Sequence, residues 1–230
     1  MNIAVYLRIV EGRNYCFIDK LSESALEAAL RLKDKCGFSL TAFSFGSGII
    51  EKELRRAYSC GADKICLIES SKIKSPLSEA CSARMICERN QSSLLIVPAF
   101  SEEYSFSSFA PLAAEMLSFD YAERTDFFDY HADGIDLFYE WKNSELKMKR
   151  CGLPLVISYM GGIPLRYPLL KDRISAETAA IDRISDQDIA EPYSLIESRA
   201  SDNNKTFSMS PEEAATVVID LMMEKGMIKV

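Results

Sequence analysis

Two hydrophobic rhythms alternate along this chain. Near its start, "NIAVYLRIV" is a short, mostly apolar run rich in β-branched side chains, and "SESALEAALRLKDK" follows with Leu26, Ala29, Leu30 and Leu32 at helical spacing. That predicts a strand and then a helix. The order recurs as "SLTAFSF" before "GIIEKELRRAYSC", "KICLI" before "SPLSEACSARMICERN", and "SLLIVPAF" before "SFSSFAPLAAEML". Gly37 and Gly61 fall just past the first two helices, where a left-handed cap position favours glycine. Four strand-helix units in series predict a parallel sheet covered by helices on both faces. Ligands of such sheets sit beyond the carboxyl ends of the strands.

After Phe119 the pattern changes. "YAERTDFFDY", "GIDLFYEWK", "ELKMKRC" and "LPLVISYM" alternate or carry aromatics, with the turn signals "HADG" and "KNS" between them. They predict an antiparallel meander whose last strand rejoins the sheet. Beyond Tyr167 periodicity is lost, and "RASDNNKTFS" reads as a loop. "SPEEAATVVIDLMMEKG" then predicts a closing helix, with Ser210 as cap, Pro211 at the first position and Glu212 and Glu213 toward the positive end of the dipole. Gly226 ends it, and Ala215, Val218, Leu221 and Met222 form one apolar stripe. Such a helix packs on its own core or on another subunit. The expected organisation is an α/β domain over residues 1–183 and a C-terminal arm over 184–230.

Residues 105–117 pose a separate question. Ser105, Ser107 and Ser108 crowd the predicted helix start and Pro111 sits just inside it, as when the first amide protons of a helix need partners. The same amides can hold an anion. A cap made by Ser105 or Ser107, a phosphate and a protein partner all remain open.

Composition removes several classes of function. With 230 residues, 48% of them hydrophobic, the chain can bury a full core. A formal net charge of -7 argues against nucleic acid as the main partner. The amino-terminal run lacks a signal-peptide layout and no apolar stretch approaches the ~20 residues of a membrane span, which predicts a cytoplasmic protein. Seven cysteines form no C-x-x-C pair, so they read as small buried thiols in a reducing compartment. The single histidine, His131, lies in the turn "DYHADGID", which leaves a histidine-based triad without support. "GSGIIE" has G-x-G but Glu51 where a dinucleotide turn wants glycine, and reads as a tight strand-to-helix loop. There is no phosphate-binding loop and no nucleophile elbow, and Glu102 and Glu103 read as solvated surface.

A resemblance adds to this. The helix of residues 23–33, the strand end of 40–47 and the "LRRAYSCGAD" turn resemble the beta subunit of electron transfer flavoproteins, and the likeness continues through "LPLVISYM" and "LRYPLL" to "EKGMI". It implies a Rossmann-like, adenine nucleotide alpha hydrolase-like sandwich with the meander and the C-terminal extension. It further implies an electron carrier subunit, not a catalyst by itself, that pairs with an alpha-like subunit carrying most of the FAD contacts and exchanges electrons with a dehydrogenase. The family's beta subunit usually buries AMP, or a second FAD. Carried over, that site falls on Val5, Asp19 to Ser22, Phe45, and Glu103 to Ala110, including Ser105, Ser107, Ser108 and Phe109. Partner contact falls on Leu170, the leucine of a recognition loop, with Arg166 and Tyr167 of "LRYPLL".

The chain departs from the family at both places. The Asp-rich family loop is here "EYSFSSFAP", Phe45 replaces a smaller residue, and "DKLS" stands where N-P-F-[CD] is usual. The lysine-rich run after the recognition leucine is "SAETAA". A degenerate site of this kind predicts AMP or FAD held weakly or no nucleotide at all. The alternative to an electron-transfer subunit is a non-redox nucleotide-binding or scaffolding protein that kept the fold, with a self-dimer open in either case.

Overall fold

The computed structural model describes residues 1–12, 15–69, 76–100, 108–141 and 145–185, all within one compact unit, Met1–Pro192. Strand β1 (Asn2–Tyr6) leads into a short hairpin, β2 (Ile9–Glu11) and β3 (Cys16–Ile18), and then helix α1 (Lys20–Cys36). β4 (Ser39–Gly46), α2 (Glu51–Ser59), β5 (Lys64–Glu69), α3 (Pro76–Asn90), β6 (Ser92–Pro98) and α4 (Phe109–Leu117) complete the predicted strand-helix series. Next come β7 (Asp120–Thr125), β8 (Phe127–His131), β9 (Gly134–Trp141), β10 (Glu145–Cys151) and β11 (Leu155–Tyr159), then α5 (Leu170–Glu177) and β12 (Asp182–Ser185).

Seven strands make one parallel sheet in the order β12-β5-β4-β1-β6-β11-β7. Alternation along its strands feeds two cores. Ile3, Val5 and Leu7 of the β1 run face the cluster formed with α1 and α2, whereas Ala4 and Tyr6 face the cluster formed with α3 and α4. Helices therefore cover both faces, as the sequence predicts. α1 shows why the local chain obeys: Asp19 caps it, Glu23 lies in its first turn, Lys33 and Lys35 in its last, and Gly37 closes it at φ 68° with its N–H on the Lys33 carbonyl. Its Leu26 and Leu30 lie in the core, where truncation to alanine costs about 2–5 kcal/mol.

Four expectations are corrected. "NIAVYLRIV" is two strands, with the β2-β3 hairpin inserted before α1. "YAERTDFFDY" also divides. β7 joins the main sheet parallel to β11, and only β8, β9 and β10 form the antiparallel unit. The break falls where Arg124 takes a left-handed φ of 51° and Asp126 donates its N–H to Phe138 of β9, so the chain passes from one sheet to the other. Beyond Tyr167 the chain is ordered again as α5 and β12, and β12 extends the main sheet beside β5. Finally, the helix predicted within the Ser105 to Leu117 stretch begins at Phe109, with Ser108 and not Ser105 or Ser107 at its cap position. The predicted closing helix lies outside the described residues.

Candidate functional site

The chain crosses from one side of β1 to the other between β5 and β6, so the topological switch point lies at the carboxyl ends of β1 and β6, where open α/β sheets take ligands. Three predicted site residues come close to that edge from the α1 side. Asp19 is buried; its Oδ2 accepts the Leu21 N–H at 3.0 Å and its own N–H donates to the Arg8 carbonyl at 2.9 Å. Ser22 Oγ accepts the Arg8 N–H at 2.9 Å. The Asp19 backbone N–H and the Ser22 hydroxyl thus tie the start of α1 to the chain leaving β1, while the Asp19 carboxylate caps the helix. Val5 is fully buried between Ala42 and Ile96 on the neighbouring strands and belongs to the core.

Across the sheet, Phe45 and Phe109 meet on Tyr6, with ring centroids 5.3 and 4.8 Å away, and Phe43 packs against Tyr6 at 5.6 Å. Phe45 is 4% exposed, and Phe109 and Ala110 are equally buried. Four aromatic rings therefore fill the space under the strand ends that faces the start of α4. Ser108 occupies the cap position of α4, exposed and without a side-chain capping bond. Glu103, Ser105 and Ser107 lie outside the described residues, so the serine-cap question is answered for Ser108 only. No sequence motif points to Tyr6. Register does: β1 against β4 sets Tyr6, the last residue of β1, beside Phe43, two positions before Phe45.

The second predicted region is the segment between β11 and α5. Two side chains one turn apart on α1 hold it. Ser24 Oγ donates to the Gly161 carbonyl and accepts the Ile163 N–H at 2.6 Å. Glu27 accepts the Arg166 N–H at 3.1 Å and the guanidinium in a bidentate pair at 2.9 and 3.2 Å, while Asp34 takes the remaining Arg166 Nη1 at 2.7 Å. Burial alone would raise the Glu27 carboxyl, but the hydrogen bonds from Arg166 and Arg31 reverse this and hold it below its usual value. Arg166 itself is pushed up, first by its hydrogen bond to Glu27. Beyond this clamp the chain turns outward: Tyr167 is 97% exposed, Leu169 61% and Leu170 71%. Arg55 of α2 anchors the far end of α5 by donating to the carbonyls of Ala176 and Ala179 at 2.9 and 2.5 Å. Of the three predicted partner residues, Tyr167 and Leu170 are thus presented to solvent, and Arg166 faces inward as their anchor.

Four of the thiols are held away from the reactive thiolate form. Burial pushes Cys66 and Cys87 up to about 12 and raises Cys16 and Cys60 as well. His131 lies 3.4 Å from Asp136 and 3.6 Å from Asp129 on the β8-β9 hairpin. Among the described residues no group of three or more His, Cys, Asp and Glu side chains could hold a metal ion, and no helix is long and apolar enough to cross a membrane.

A family model described as electron transfer flavoprotein domain matches residues 7–132, from just past the end of β1 through β8. No curated protein matches the chain.

Proposed function

The chain belongs to the electron transfer flavoprotein domain family, and from that premise we propose that it is a beta-type subunit which assembles with a flavin-carrying alpha-type subunit and serves electron transfer to or from a dehydrogenase. The observation that carries this reading is the presentation of Leu170 and Tyr167 at the surface by the Arg166-Glu27 clamp. An exposed leucine and tyrosine on a segment hydrogen-bonded to a core helix make a pre-organised contact, which lowers the ordering cost of binding. Co-expression with an alpha-type subunit from the same genome tests it. The expected product is a stoichiometric, flavin-coloured complex, and Leu170→Glu should leave its colour intact while electron transfer to the dehydrogenase falls. Failure of the two chains to co-purify, with no flavin in either, overturns the reading.

Within it, the adenine-nucleotide site is altered. Asp19 and Ser22 are already bonded to backbone amides, and Phe45 and Phe109 pack on Tyr6 where the family leaves room for the ligand. Affinity for AMP is accordingly low or lost. Calorimetry of the purified chain with AMP, ADP and FAD checks this, and micromolar AMP binding abolished by Ser108→Asp would contradict it.

The same aromatic packing favours a second reading, a scaffolding protein that kept the fold without redox chemistry. An alpha-type complex that purifies without flavin would select it.

A further inference from the structure

A groove of about 730 Å³ lies between α2, α5 and the 164–168 segment, on the flank of the protruding Leu170. Its apolar lining is Leu165, Ala176, Pro164 and Pro168, with Tyr167 at the rim. Five Lys and Arg side chains and three glutamates share the wall, and they are not equivalent. Arg56 is matched by Glu23 at 2.7 Å and Glu53 at 3.4 Å, and Arg166 by Glu27 and Asp34. Lys52, Arg55 and Arg173 make no ion pair among the described residues, and the carbonyls that Arg55 touches do not neutralise its charge. Against them stand Glu177, likewise unpaired among the described residues, and the one carboxylate that Arg56 leaves over in answering both Glu23 and Glu53. The lining therefore carries five cations against three carboxylates in a chain of net charge -7.

We propose that this groove receives an acidic segment of a protein partner, an apolar side chain seated between Leu165 and Ala176 and flanking carboxylates on Lys52 and Arg173. The proposal rests on the partner-docking reading above and adds to it the chemistry of the partner. Charge complementarity selects the occupant: uncompensated cations around an apolar floor suit carboxylates next to a hydrophobic residue. Nucleic acid would need a broad basic face, and the cations here are confined to one groove.

The test uses the full chain and a fluorescein-labelled peptide Glu-Asp-Leu-Glu-Asp, read by anisotropy at low and high salt. Controls are the Gln-Asn-Leu-Gln-Asn counterpart, inorganic phosphate, single-stranded DNA and phosphatidylserine vesicles. Expected is binding of the acidic peptide that weakens with salt and drops at least about tenfold in Lys52→Glu/Arg173→Glu, as in Lys52→Gln/Arg173→Gln, with the melting temperature unchanged. Equal binding of the neutral peptide, indifference to both double variants, or preference for DNA, vesicles or phosphate overturns the proposal. The flavin subunit provides a separate arm. If the complex forms and the peptide fails, the groove assignment alone falls. If the peptide binds through Lys52 and Arg173 in a chain that never co-purifies with a flavin subunit, the groove stands and the subunit reading falls.

Discussion

Glu27 joins two parts of the chain that are 139 residues apart, and its protonation decides how firmly they are joined. Because its folded-state pKa is depressed, the stability it contributes is present above the unfolded value near 4.5 and is lost as pH falls through the folded value. Arg166→Met should therefore flatten the acid limb of a stability-versus-pH profile as well as lower stability at pH 7. A cost of about 2 kcal/mol is expected, below that of a fully buried pair because 32% of the Arg166 side chain meets solvent. Urea midpoints at neutral and acid pH measure both effects, and an acid limb as steep as the wild type's would show that other carboxylates dominate it. Gly161 marks the other end of the same clamp. A Cβ there would press on the Tyr159 hydroxyl and the Asp126 carbonyl, so Gly161→Ala should cost about 1–3 kcal/mol by overpacking. An unchanged midpoint would mean that the segment moves aside freely.

At the scale of elements, α5 depends on its neighbour α2 more than on its own sequence. Ala176 is its only buried residue, and Arg55 holds the Ala176 carbonyl in its last turn and the Ala179 carbonyl just past its end. Arg55→Ala should increase amide exchange in residues 170–179 while the protection of β1, β4 and β6 stays unchanged; equal exchange in both variants would place the anchor elsewhere. The same facts explain what the sequence could and could not reveal. The four strand-helix units were legible because each carries a long apolar periodicity. α5 was not, since one inward-facing alanine leaves no stripe to read. The three-residue strands β2 and β3 are too short for alternation to register. The division between β7 and β8 is a backbone event at Arg124 inside a run that alternates continuously. In the candidate site, Phe45, Phe109 and Leu170 enter through the family resemblance, whereas Tyr6 and Glu27 emerge only in the structure, one being an ordinary strand residue in sequence and the other an ordinary helix-face acid.

For the whole molecule, the sheet's switch point and its stability are linked through whatever binds there. A ligand that binds only the folded state adds RT ln(1 + [L]/Kd), about 2.7 kcal/mol at a hundredfold excess over Kd. For a domain of this size that is a rise of several degrees in melting temperature. The Tyr6, Phe43, Phe45 and Phe109 cluster contributes hydrophobic burial beside these strand ends; on the reading proposed above, that packing supplies stability which a bound nucleotide would otherwise add. Two outcomes should follow together. Millimolar AMP should leave the melting temperature of the wild-type chain unchanged. Phe45→Ala should lower stability by about 3–5 kcal/mol through the cavity it leaves, and part of that loss should return when AMP is added, because the emptied volume lies beside the strand ends. Differential scanning calorimetry of both proteins, with and without AMP, measures all four states. A rise of several degrees in the wild type would show that the aromatic cluster and the nucleotide coexist, and that the site has changed less than its side chains suggest.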